Sequence, residues 1–196
     1  MVSTRRRPQF SSAALAWLEP RPLEPVVEQL SDQELALLRC RGLDERLCAQ
    51  VLGKMVPRDL LSSPAGRARC LWPRLPTGAT VYGASALWVH TGQAPPQVLE
   101  AIWPGHTGRR RDLLVHQGRL PESDTVRLGK VPCCTLARAA VDVARLGPPA
   151  RAVAALLAAQ AAGVGARELY NCASHCVGAQ VSGRDRVEHL VHQLYR

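Results

Sequence analysis

Two cysteines and two histidines near the C-terminus have the composition of a zinc ligand set, Cys172-x3-Cys176-x12-His189-x2-His192. Zn²⁺ takes two thiolates and two imidazoles tetrahedrally, and each pair can fall on one helical face. The fit is imperfect: the histidines are closer than in a zinc finger, and no strand hairpin precedes the helix. The competing reading is two buried thiols and two histidines flanking an apolar stripe. Cys133 and Cys134 are adjacent, without the two-residue gap that lets one thiolate attack and the other resolve. They read as packing where a strand passes into a helix. No phosphate loop, Gly-x-Ser-x-Gly elbow or His-Glu-x-x-His occurs. Glu100, Asp112, Glu122 and Asp124 do not group around Lys130 as a metal nuclease would require. The expectation is a protein that is not an enzyme and carries no cofactor.

The remaining chemistry is cationic. Lys and Arg outnumber Asp and Glu by 25 to 16, for a formal charge of +9, which attracts anionic partners such as nucleic acid or anionic lipid. Nearly every base is Arg, the lysines being Lys54 and Lys130. The densest internal cluster is Arg109-Arg110-Arg111. It reads either as a set of phosphate contacts or as a solvated hairpin tip that keeps strand edges from pairing. Arg5, Arg6 and Arg7 could supplement it. Arg46 and Gln50 fall on the second of two short helices joined across a Gly turn. They would face a DNA groove if the pair is a helix-turn-helix, and solvent if it is an ordinary helical hairpin. Arg138 and Asp142 stand one helical turn apart and can pair. An exposed pair of this kind adds only about 0.3–0.5 kcal/mol, and Arg before Asp is the weaker order. Two roles stay open for them, a clamp from helix to sheet or a partner contact.

The elements that must position these residues follow from periodicity. Residues 1–30 hold four prolines and no sustained pattern, and read as an extended basic arm. Ser31-Asp32-Gln33-Glu34 is a capping box opening a helix through Leu38. Asp44 caps a second helix presenting Leu47, Cys48, Val51 and Leu52, closed by Gly53. Residues 57–76 read as a Pro-rich connection. Thr80 to Tyr82 is a short strand, and Ala84 to His90 a helix stopped near Gly92. Val98–Trp103, Leu113–Val115 and Thr125–Leu128 are strands, with a turn at Gly129-Lys130. From Thr135, a plausible N-cap, Leu136, Ala139, Ala140 and Val143 make one buried stripe, with Arg138, Asp142 and Arg145 on the opposite side. Helices follow from Pro148-Pro149, around Arg167 to Cys176, and from the capping pattern Ser182-Gly183-Arg184-Asp185 to the end. The fold class is α+β: a small mixed sheet with helices, followed by a C-terminal helical bundle. The domain reading is an arm (1–30), a helical N-terminal region (31–76) and an α/β core with C-terminal helices (77–196).

An apolar content of 46% is enough to bury a core without staples. Seven cysteines at irregular spacing fit a reduced, cytoplasmic protein. The apolar run Ala13–Leu18 ends at Glu19-Pro20 and is too short for a leader, and Ala152–Ala162 is too short to span a bilayer. No membrane partner is expected.

Several segments resemble a known family in order and spacing. Gly78 to Gly92 (GATVYGASALWVHTG) looks like the strand-then-helix signature of actinobacterial AbiEi-like antitoxins. Val115 to Pro121 resembles their "His, basic, Leu" strand. Val131 to Ala144 resembles their "Val-Thr-Thr-Pro-x-Arg-Thr-x-x-Asp" helix start, with Cys133, Cys134 and Leu136 in place of the usual Thr, Thr or Ser, and Pro, while Arg138 and Asp142 are kept. The match runs from about Gly78 to Ala162. It implies an antitoxin of a type IV toxin–antitoxin system or a related transcriptional regulator, which represses its own operon and counters a nucleotidyltransferase-like toxin. Such proteins often carry an N-terminal winged helix-turn-helix; here Gly53-Lys54-Met55-Val56-Pro57-Arg58 stands in place of the wing, degenerate or absent. The implied partners are therefore DNA and a nucleotidyltransferase-like toxin. The alternative is an interaction-only protein of the same scaffold that has lost DNA binding.

Overall fold

A computed structural model describes residues 33, 36, 44–105, 108–110, 112–177 and 182–195; the basic arm and most of the first expected helix lie outside them. The fold is α+β, with a mixed sheet and a C-terminal group of helices. No helix of the described residues is long and apolar enough to cross a membrane.

The expected second helix is cut short. It covers only Asp44–Leu47 (α1) and passes directly into a two-stranded antiparallel hairpin, Cys48–Val51 (β1) and Lys54–Pro57 (β2). Gln50 is therefore a strand residue opposite Met55, not a groove-facing helical one. The reason lies in the turn. Leu52 and Gly53 both take positive φ, 50° and 77°, the conformation of the two-residue loop whose twist matches that of a hairpin. Gly53 thus reverses a strand and does not cap a helix. Val51 and Leu52 are buried in the main core, which holds the hairpin against it.

Residues 57–76 also hold more structure than a connection. Ser63 accepts a hydrogen bond from Gly66 N (3.1 Å) and caps the helix Pro64–Leu71 (α2), with Pro64 in the first turn. Its Arg67 is buried and reaches the helix Gly83–Thr91 (α3), donating to Val89 O (2.8 Å) and His90 O (3.1 Å), and also to Leu61 O (2.8 Å). These carbonyls near the end of α3 attract a cation, so one arginine ties the N-terminal region to the sheet layer.

The large sheet has six strands in the order β5-β6-β4-β3-β8-β7. These are Thr80–Val81 (β3), Leu99–Trp103 (β4), Gly108–Arg110 (β5), Leu113–Gln117 (β6), Thr125–Leu128 (β7) and Val131–Cys134 (β8). β4 and β6 pair in parallel, and β3 runs parallel to β8; the other pairings are antiparallel. Arg109 and Arg110 do not lie in a free loop. Arg109 and Arg110 have the backbone of edge strand β5, paired with Leu114 and Leu113, and Arg111 lies outside the described residues.

Two hydrophobic clusters share the helix Leu136–Leu146 (α4). The first joins α2, α3 and the sheet around Trp88, Tyr82, Leu99 and Val131, and takes Ala139 from α4. The second joins α4 to Pro149–Ala161 (α5), Ala166–Ser174 (α6) and Arg184–Leu194 (α7), around Val141, Leu156, Leu169 and Val187. Thr135 caps α4 as expected, its side chain accepting from Arg138 N. Because α4 is covered on both sides, the single-stripe expectation fails. Leu136 and Val143 are only partly buried, whereas Arg138, Asp142 and Arg145 are 0%, 1% and 6% exposed. Helix α7 starts after Gly183 with no side-chain cap, so the expected Ser182 capping pattern is not used.

Candidate functional site

Exposed polar residues collect on α1 and the hairpin: Arg46, Gln50, Lys54 and Arg58 all face solvent. Arg58 N donates to Leu47 O (2.8 Å) beyond the last paired strand residues, which fixes Arg46 and Arg58 on adjacent backbone. At the other end Arg74 Nη1 donates to Leu52 O (2.6 Å) in the hairpin turn. The same nitrogen lies 3.6 Å from Asp112 Oδ2, immediately after the Arg109–Arg111 segment. One side chain therefore bridges the hairpin turn and the connection from β5 to β6, two basic segments more than fifty residues apart in sequence. Such a surface can offer guanidinium and amide groups to phosphates and base edges.

Arg138 and Asp142 sit elsewhere, in a buried chain of charges. Arg138 Nε donates to Asp142 Oδ2 (2.6 Å) and Nη2 to Asp142 Oδ1 (3.4 Å), a two-pronged pair. Nη1 donates to Asp124 Oδ2 (3.0 Å), in the turn before β7. Arg145 Nη2 donates to Asp142 Oδ1 (3.0 Å) and to Tyr82 Oη (3.4 Å), and Nη1 to Ser182 O (3.0 Å). Asp124 Oδ1 meets His175 Nδ1 at 2.9 Å and accepts from Cys172 Sγ at 3.8 Å. Two guanidinium groups and two carboxylates balance. Burial alone would lower the pKa of Arg138, but the Asp142 carboxylate outweighs it and the net direction is up; Arg145 follows the same pattern. Burial, then the Asp142 charge, pushes the Tyr82 hydroxyl up. Of the two roles open to Arg138 and Asp142, burial leaves the clamp: the chain links α3, α4, the β7 turn and the last two helices.

The thiols around this chain are not activated. Burial pushes Cys133 and Cys172 up to about 12 and raises Cys134 and Cys176. Cys172 and Cys176 are buried, Cys176 Sγ donating to Cys172 O (3.6 Å). His189 and His192 are exposed on α7, and His189 pairs with Gln193 (3.0 Å). The four candidate zinc ligands are not brought together, and no group of three or more His, Cys, Asp or Glu among the described residues is placed to hold a metal.

Asp124, Arg145, Tyr82 and His175 were missed as network members from sequence. One signal was available: Arg138, Asp142 and Arg145 repeat at i, i+4 and i+7, so alternating charges line one face of an otherwise Ala-rich helix. Beside the network, Glu100 and Arg151 line a cavity of about 390 Å³ between α3, the sheet and α5. No protein-family profile matches the chain, and no curated protein matches it.

Proposed function

We propose that this protein is a non-enzymatic, AbiEi-like transcriptional regulator of the antitoxin type. It acts in the cytoplasm and binds DNA through the face formed by α1, the hairpin and the neighbouring strand β5, which carries Arg109 and Arg110. The observation that carries this reading is the bridge made by Arg74, which brings the two basic segments of the chain to one side of the molecule. In sequence, the hairpin's second strand, Lys54–Pro57, falls where the resemblance puts the family's wing, which supports the same reading. The chain's +9 charge favours a polyanionic partner. Arg46 and Arg58 would contact phosphates, and Gln50, with a donor and an acceptor, could read a base edge. The C-terminal helices would serve a protein partner, a nucleotidyltransferase-like toxin.

The test is fluorescence anisotropy with a duplex from upstream of the protein's own reading frame, titrated over a range of salt. Binding should weaken with a linear log–log salt slope. Arg46→Ala should reduce that slope by about one, and Gln50→Ala should lower the preference for the upstream duplex over unrelated DNA while leaving the slope in place. Equal competition by unrelated DNA, or binding indifferent to both substitutions, would overturn the reading.

A further inference from the structure

The cavity between α3, α5 and the sheet has features of a built binding site. Its volume, about 390 Å³, falls within the roughly 300–1,000 Å³ range of small-ligand pockets. Much of its lining is apolar: Leu87 of α3, Val98, Leu114 of β6, Val143 of α4 and the small Ala154 and Ala158 of α5. Alanines leave open the volume that leucines would fill. At its rim Ala94 takes a positive φ of 50°, uncommon for a residue with a side chain.

Two opposite charges line this space. Glu100 Oε2 accepts from Ala84 N (3.1 Å) at the start of α3. Gly83 makes that seat possible, because a Cβ there would overlap the same oxygen. The second carboxylate oxygen accepts no hydrogen bond among the described residues. Burial pushes the Glu100 carboxyl up, with Arg151 among the charges that oppose the shift. Arg151, exposed on the first turns of α5, lines the same cavity, yet no ion pair joins it to Glu100 among the described residues. The site thus presents an anion and a cation, held apart, at an apolar recess.

We propose that this cavity binds a small zwitterion with an apolar body, a free aliphatic amino acid, its ammonium on Glu100 and its carboxylate on Arg151. The apolar side chain fills the space left by Ala154 and Ala158. Each charged group supplies one charge-assisted bond.

The experiment is isothermal titration of the full chain with leucine, 4-methylpentanoate (carboxylate without ammonium) and isopentylamine (ammonium without carboxylate). Leucine should bind, and each single-charge analogue should bind about tenfold or more weakly, the loss of one charge-assisted bond. Arg151→Ala, on an exposed helix face, should keep the fold and weaken leucine by a similar factor while leaving isopentylamine unchanged. Glu100→Gln should weaken leucine and isopentylamine together. The inference is overturned if no aliphatic amino acid binds at millimolar concentration. Isopentylamine matching leucine, or leucine binding unmoved by both substitutions, would equally overturn it.

Discussion

Replacing Arg138 by Met separates a clamp from a surface ion pair. Methionine retains an unbranched apolar stem of similar reach, so the main loss is the guanidinium. In the native protein that group donates to Asp142 at 2.6 and 3.4 Å and to Asp124 at 3.0 Å, and none of the three residues is more than 1% exposed. After substitution Asp142 keeps Arg145 (3.0 Å) and Asp124 keeps His175 (2.9 Å), but the buried cluster holds one negative charge too many. An exposed i,i+4 pair would cost only about 0.3–0.5 kcal/mol to lose. Breaking a buried pair costs about 3–5 kcal/mol, because the surviving carboxylate stays desolvated. For a chain of this length that is a fall in Tm of roughly 6–20 °C. Urea unfolding followed by far-UV circular dichroism and tryptophan fluorescence measures it, Trp88 being 2% exposed in the first core. The double variant Arg138→Met/Asp142→Leu should lose less than the sum of the singles, by about 1–3 kcal/mol, since neither partner is left charged and alone. A loss under about 1 kcal/mol for Arg138→Met, or additive singles, would refute the clamp.

Three further outcomes are expected. Burial holds His90 below its ordinary value of 6.5, so below about pH 6.5 the unfolded chain takes a proton that the folded ring resists. His90 therefore contributes stability that is complete above about pH 6.5 and lost as pH falls through the folded value. Tm of the wild type should drop more steeply between about pH 7 and about pH 5 than that of His90→Gln; parallel curves would count against it. The described cysteines with resolved shifts, Cys70, Cys133, Cys134, Cys172 and Cys176, all lie above their ordinary value. Ellman's reagent at about pH 8 should therefore label them only after unfolding, and rapid native labelling mapped to Cys133 or Cys172 would contradict the burial argument. Gly83→Ala, at φ +53° and against Glu100 Oε2, should cost about 1–3 kcal/mol in urea unfolding; a loss under about 0.5 kcal/mol would mean that Glu100 is not seated there.

Much of the secondary structure was legible because local chemistry decided it. Thr135 ahead of an amphipathic run gives a capped helix in any context, and Gly92 ends α3 where the sequence suggested a stop. The runs Leu99–Trp103 and Thr125–Leu128 are mainly apolar, with β-branched Ile102, Thr125 and Val126, and form strands. The failures occur where two local preferences compete. Leu47, Cys48, Val51 and Leu52 fit a helical period, yet Val51 and Lys54 flank a two-residue turn and pair across it. Burial of Val51 and Leu52 in the main core selects the hairpin, and that burial depends on α2 and the sheet, which no local window contains.

The candidate sites follow the same division. By itself the sequence determined the charge balance, the cap of α4, the i,i+4 spacing of Arg138 and Asp142, and the absence of activated-nucleophile motifs. Each is a property of composition or of neighbours along the chain. Tertiary structure alone decided that Arg138, Asp142 and Arg145 lie inside, because a helix exposes or buries a face only according to what packs on it. It also brought Asp124 and His175 to Arg138, kept His189 and His192 away from the buried thiols, and set Glu100 and Arg151 across one cavity. Spacing along a helix fixes which residues share a face. The sheet on one side of α4 and the bundle on the other determine that its polar face meets protein, and there an ion pair of slight consequence becomes a buried clamp.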